Sequence, residues 1–242
     1  MDAYRSIPWV FVMFILVIVV SQIIVFVHFP YHGIPVFALS RDRPWGIITS
    51  WLAHTRPEHI SYNITYIGGF SMVIVFLHTV IVYLLIRMCN MRELVVRNWS
   101  RMHDRLIVLN TMLAHIVPSI GQYIRDLDKG VPICGSSLMA FGLFGCLFPL
   151  SAYLITIPIV RMFRNRIRTF HYVSTIIFSI LLMVIIVSIQ LNSENFLKVM
   201  GYGSPRANVR GHIMAFACGL IIEYIGLSML NLRYFKRTQK LR

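Results

Sequence analysis

Long apolar runs separated by short polar stretches set the pattern of this chain. Pro8 to Phe29 is apolar apart from a few positions, chiefly the pair Ser21-Gln22, and would reach about 33 Å as a helix. That length crosses a bilayer, is too long for a signal peptide, and has no small-residue cleavage site before Pro30. Five further runs follow at about 57–86, 106–124, 133–158, 171–191 and 210–231. Their lengths and continuous apolarity predict an all-α polytopic membrane protein of six transmembrane helices in one domain, residues 1–242. Thr55-Arg56-Pro57-Glu58 reads as a capping box at the start of the second helix, with Thr55 as N-cap and proline in the first turn.

Composition agrees. The chain is 57% hydrophobic, with a mean hydropathy of +0.70, and so has too little polar surface for a soluble domain. The formal net charge of +14 is distributed unevenly. One set of segments carries Arg5, then Arg87, Arg92, Arg97, Arg101 and Arg105, then Arg161, Arg164, Arg166 and Arg168, then Arg233, Lys236, Arg237, Lys240 and Arg242. The opposite set has only Arg41, Arg43, Arg56, Arg125, Lys129, Lys198, Arg206 and Arg210. The richer side is expected to be cytoplasmic, with both termini there and the plasma membrane as the default membrane. The basic residues lie in short juxtamembrane loops, which points to anionic membrane lipids and against nucleic acid. Cys89, Cys134, Cys146 and Cys218 have neither metal-ligand nor disulfide-framework spacing, and no cofactor is expected.

With this orientation the second, fourth and sixth helices all begin at the outer face. Each carries polar groups there. His59 and Asn63 lie four residues apart on one face of the second helix. Ser137 opens the fourth and His212 the sixth. Gly211, Ala215 and Gly219 form a small-residue stripe beside His212, and Gly142 and Gly145 remove bulk below Ser137, so these helices can approach closely. A serine hydroxyl needs a base to become a nucleophile, and His212 is placed to serve. Glu223 lies about 16 Å deeper and cannot orient that ring, so a Ser–His dyad is expected. His59 and Asn63, with the first amides of the fourth helix, supply donors for an oxyanion. Singly, each feature has a plainer use: a serine cap, a structural histidine, interhelical hydrogen bonds. Together they describe acyl transfer, most simply hydrolysis of a peptide bond near the outer membrane face. His78, Asn110, His115 and Glu223 are expected to bond between helices, and His103 to sit in a cytoplasmic loop.

The residues Trp45, Thr49, His54-x4-His59-x3-Asn63, Gly135-x-Ser137, Gly145, His212 and Gly219 resemble the rhomboid family of intramembrane serine proteases. The resemblance implies a six-helix rhomboid-like bundle with Ser137 as nucleophile and His212 as general base. It also implies that His59, Asn63 and the Ser137 amide bind the oxyanion, and that His54 is mainly structural. Residues 30–50 resemble the family's half-submerged lateral loop, and the implied partners are transmembrane protein substrates. The chain departs from the family's usual residues at four places. Leu138 follows the serine in place of glycine, Phe141 replaces a tyrosine beneath the histidine, Gly46 replaces an arginine after Trp45, and Ala215 replaces a glycine. Leu138 keeps a second expectation open, a rhomboid-like pseudoprotease that binds transmembrane segments without cutting them. A small transporter or channel is a third, but the chain has no internal repeat to favour it.

Overall fold

The computed structural model describes residues 7–87, 89, 91–126, 135–165, 177 and 209–239. Five long helices fill them: α1 (Trp9–His28), α2 (Pro57–Arg87), α3 (Glu93–Asp126), α4 (Ser137–Asn165) and α5 (Val209–Gln239). Each contains a stretch long and apolar enough to cross a membrane, and no strand occurs among the described residues. The described residues therefore form helices and the turns and loops between them, and have the make-up of an integral membrane protein. The expected fifth span, 171–191, lies outside the described residues but for Ile177.

Three boundaries differ from expectation. The third helix starts at Glu93 rather than 106. Its first turns look too polar for a span, yet they are amphipathic: Val96, Trp99, Ser100, His103 and Asp104 are buried while Arg101 and Arg105 are exposed. Mean hydropathy misses such a segment, and His103 is accordingly a buried helical residue rather than a loop residue. The fourth helix begins at Ser137 and runs through Pro158 to Asn165. Proline is tolerated inside a membrane helix where neighbours satisfy the freed carbonyl. The last helix continues past 231 to Gln239 as its sequence turns basic.

α4 is the centre of the bundle. Of its most apolar stretch 78% is buried, against 28% for α1 and for α5. α2 and α5 pack on α4, and α3 packs on α5. Between α4 and α5 the contact is backbone against backbone. A Cβ on Gly219 would fall on the Gly142 carbonyl, and one on Gly145 would fall on the Phe216 carbonyl and 2.9 Å from Leu220 N.

Deeper in the bundle, polar side chains join the helices. His78 Nδ1 of α2 lies 2.7 Å from His103 Nδ1 of α3, and His103 Nε2 lies 2.6 Å from Glu223 Oε1 of α5. Asn110 Nδ2 donates to Gly219 O at 3.0 Å and to Glu223 Oε2 at 3.3 Å. His78, Asn110 and Glu223 thus bond between helices, as expected. Asp104 anchors α1. Its carboxylate accepts the N–H groups of Val10 (3.0 Å) and Phe11 (2.8 Å), while Pro8 at the N-cap provides no side-chain bond. It serves as a cap borrowed from another helix.

The loop over residues 30–50 is a tightly bonded element containing short helical turns at Pro30–Gly33, Ile34–Phe37 and Gly46–Thr49. Trp45 Nε1 donates to Val36 O (2.9 Å) and Thr49 Oγ1 to Phe37 O (3.0 Å). Gly46 has a steric reason, since any Cβ there would overlap the Leu39 backbone.

The two kinds of glycine should behave in opposite ways. Gly219→Ala should destabilise by about 1–3 kcal/mol, because the α4–α5 contact cannot admit a methyl. Gly68→Ala, where a Cβ meets nothing within 4 Å, should be neutral or stabilise by up to about 1 kcal/mol. Thermal unfolding in detergent reads both, and equal effects would contradict the packing described.

Candidate active site

Ser137 is the first residue of α4, and His212 lies in the first turn of α5. The close approach at Gly142 and Gly219 brings the two helix starts together, and His212 Nε2 lies 3.0 Å from Ser137 Oγ. The His212 ring stacks on Phe141, with centroids 4.4 Å apart and planes at 23°. His212 is 5% exposed, whereas Ser137 is half-buried and so can be reached. The ring is held on its flat side by carbon and presents one nitrogen to a hydroxyl. A ring nitrogen so placed can take a proton from the hydroxyl.

The strand of chain before Ser137 passes beside His59 and Asn63. Gly135 has φ +103°, which favours glycine, and its N–H donates to Ser50 O at 2.9 Å. A Cβ there would come within 2.7 Å of His59 Nε2 and 3.3 Å of Asn63 Nδ2. The two donor side chains of α2 therefore lie two residues from the serine. Asn63 is 1% exposed, and its Nδ2 has no hydrogen-bond partner among the described residues. A buried amide N–H₂ without a partner costs free energy, and a developing oxyanion would satisfy it. Thr55, expected as a helix cap, has its hydroxyl 3.3 Å from His59 Nδ1. When that hydroxyl donates, the ring proton resides on Nε2, the nitrogen beside Gly135.

The residues expected to form or support the site are thus placed. Ser137, His212 and Phe141 are in mutual contact; Gly135, His59 and Asn63 form the adjoining wall. Gly145 and Gly219 line the helix contact below. His54 is fully buried, its ring edge to His59 at 5.3 Å and its Nδ1 3.3 Å from Leu52 O. Leu138 is 3% exposed and belongs to the hydrophobic core. Its bulk is absorbed by packing rather than standing in the mouth of the site.

Three contributors were missed. Ser50 holds Gly135 through its carbonyl while its hydroxyl lies 3.4 Å from His115 Nε2, which makes the lateral loop part of the site's frame. Ser136 donates its hydroxyl to Gln22 Oε1 at 3.0 Å, fastening the start of α4 to α1. Gln22 carried a readable signal as an amide inside an apolar span. Ser50, in a loop rich in tryptophan, carried none. Among the described residues no three His, Cys, Asp or Glu side chains are grouped to hold a metal. Comparison with protein-family models, with curated proteins and with solved structures finds no match for this chain.

His54 predicts a pH effect. Burial, reinforced by neighbouring His59, pushes it from 6.5 down to about 3. The unfolded chain therefore takes up this proton near 6.5 while the folded chain does not, so stability present above that pH is lost as the pH falls toward 3. His54→Phe keeps an aromatic edge against His59 without titrating. Its melting temperature should fall less than the parent's between about pH 6.5 and pH 4; superimposable curves would show that His54 takes no part.

Proposed function

We propose that this protein is an intramembrane serine endopeptidase of rhomboid type. The observation that carries the reading is the 3.0 Å contact between His212 Nε2 and Ser137 Oγ. It joins two residues 75 positions apart at the starts of two membrane-type helices. In the proposed reaction Ser137 Oγ attacks the scissile carbonyl carbon as His212 Nε2 takes the hydroxyl proton. The carbonyl oxygen becomes an oxyanion, which accepts hydrogen bonds from His59, Asn63 and the Ser137 amide. His212 returns the proton to the leaving amine as the C–N bond breaks, leaving an acyl-serine. Water then attacks that ester with His212 again as base, releasing the acid and restoring Ser137.

The buried, unpartnered Asn63 Nδ2 supports the oxyanion role, and the stack on Phe141 supports His212 as a fixed base. The burial of Leu138 speaks for the enzyme over the pseudoprotease, because its side chain leaves the serine reachable. The proposed substrates are membrane proteins whose spanning helix has small or helix-breaking residues near the outer boundary, since a helix must unwind before a peptide bond can be attacked. The site would open to the outside of a plasma membrane, with both termini cytoplasmic and the undescribed span completing six.

Cleavage of single-span substrates by the reconstituted protein tests the proposal. Ser137→Ala should abolish cleavage. Asn63→Ala should reduce turnover roughly 10- to 1,000-fold with the fold retained. Unchanged turnover in folded Asn63→Ala would remove that residue from the oxyanion site. Cleavage persisting in Ser137→Ala would reject the nucleophile.

A further inference from the structure

α3 is longer than a bilayer needs. Its 34 residues extend about 51 Å, whereas the hydrocarbon is about 30 Å thick. Counting about 20 residues back from Arg125, at the Ser137 end of the bundle, puts Arg105 at the opposite hydrocarbon boundary and Arg101 about 6 Å beyond it. That is phosphate depth. Arg101, Arg105 and Leu109 are successive i+4 positions on the outward face of this helix. Arg101 and Arg105 are exposed, and Leu109 is 53% exposed, so the face changes from guanidinium to hydrocarbon over one turn.

The depth has an independent marker. Asp104, between the two arginines, binds the first amides of α1, which places Trp9 at the same level. Trp9 is 47% exposed, and a tryptophan there suits the boundary between headgroups and acyl chains. Local carboxylates are already engaged. Asp104 accepts the α1 amides, and Glu93 pairs with Arg97 at 3.4 Å. Among the described residues no carboxylate pairs with Arg101 or Arg105.

We propose that Arg101 and Arg105 hold the phosphate of an anionic phospholipid in the leaflet opposite Ser137, with an acyl chain lying along Leu109. The guanidinium fork donates to phosphate oxygens in pairs, and the net negative headgroup complements two exposed positive charges that no carboxylate contacts directly among the described residues. This site does not depend on the peptidase reading.

The test uses full-length protein in mixed micelles of phosphatidylglycerol and phosphatidylcholine, with retained lipid counted by native mass spectrometry. The parent should retain phosphatidylglycerol preferentially. Arg101→Gln combined with Arg105→Gln should lose that preference roughly 30-fold, as two surface arginines contribute about 1 kcal/mol each. The fold should persist, because both sites are exposed and glutamine is a good helix former. Arg41→Glu, an equal charge change of two units on the loop at the other end, should retain the lipid as the parent does. Three results would each overturn the proposal: no preference in the parent, an equal loss with Arg41→Glu, or displacement of the lipid by excess inorganic phosphate.

Discussion

The backbone-to-backbone contact of α4 with α5 is the constraint on which the rest of the structure depends. Two helices meet this closely only where side chains are absent, and Gly142, Gly145 and Gly219 remove them in register. The same contact aligns the helix starts, so His212 reaches Ser137 without a loop having to carry either residue. In a membrane this matters, because apolar surface alone does not drive helices together. Dispersion between closely packed atoms and a few interhelical hydrogen bonds must supply the attraction. Ala215, in place of a glycine usual in the resembling family, is fully buried in this packing and small enough for it.

The polar groups at depth act on the same helices from the other side. His103 touches partners on α2 and α5, and Asn110 reaches both the Gly219 carbonyl and Glu223. Buried polar atoms that find partners only in one arrangement of helices penalise every other arrangement. Asp104 extends this tie to α1. At the Ser137 end, Asn63 Nδ2 and His54 Nε2 are buried without partners among the described residues. Unmet hydrogen-bonding capacity beside a hydroxyl and an imidazole is what a preorganised polar centre could use.

Much of this was legible from the amino-acid sequence, and the reasons differ by residue. Apolar runs marked the spans because a bilayer demands length and continuity. The glycine stripe marked the α4–α5 contact because nothing else allows close approach, and the meeting of Ser137 with His212 followed. The start of α3 was not legible, since the eight polar residues among the thirteen of 93–105 hide a buried face that only the neighbouring helices define. His103 was misplaced for that reason. Ser50 and Ser136 were invisible as frame residues because their partners, Gly135 and Gln22, are distant in the chain and share no periodicity with them. Leu138 was readable as a departure, but the direction of its side chain was not.

The central claim is that helix packing turns Ser137 into a nucleophile activated by His212. The most direct measurement is the intact mass and peptide map of purified protein treated with a small fluorophosphonate. The account predicts one adduct, on Ser137, kept in Ser136→Ala and lost in His212→Ala. An adduct on Ser136, or none on folded protein under conditions where a known serine hydrolase reacts fully, would contradict it.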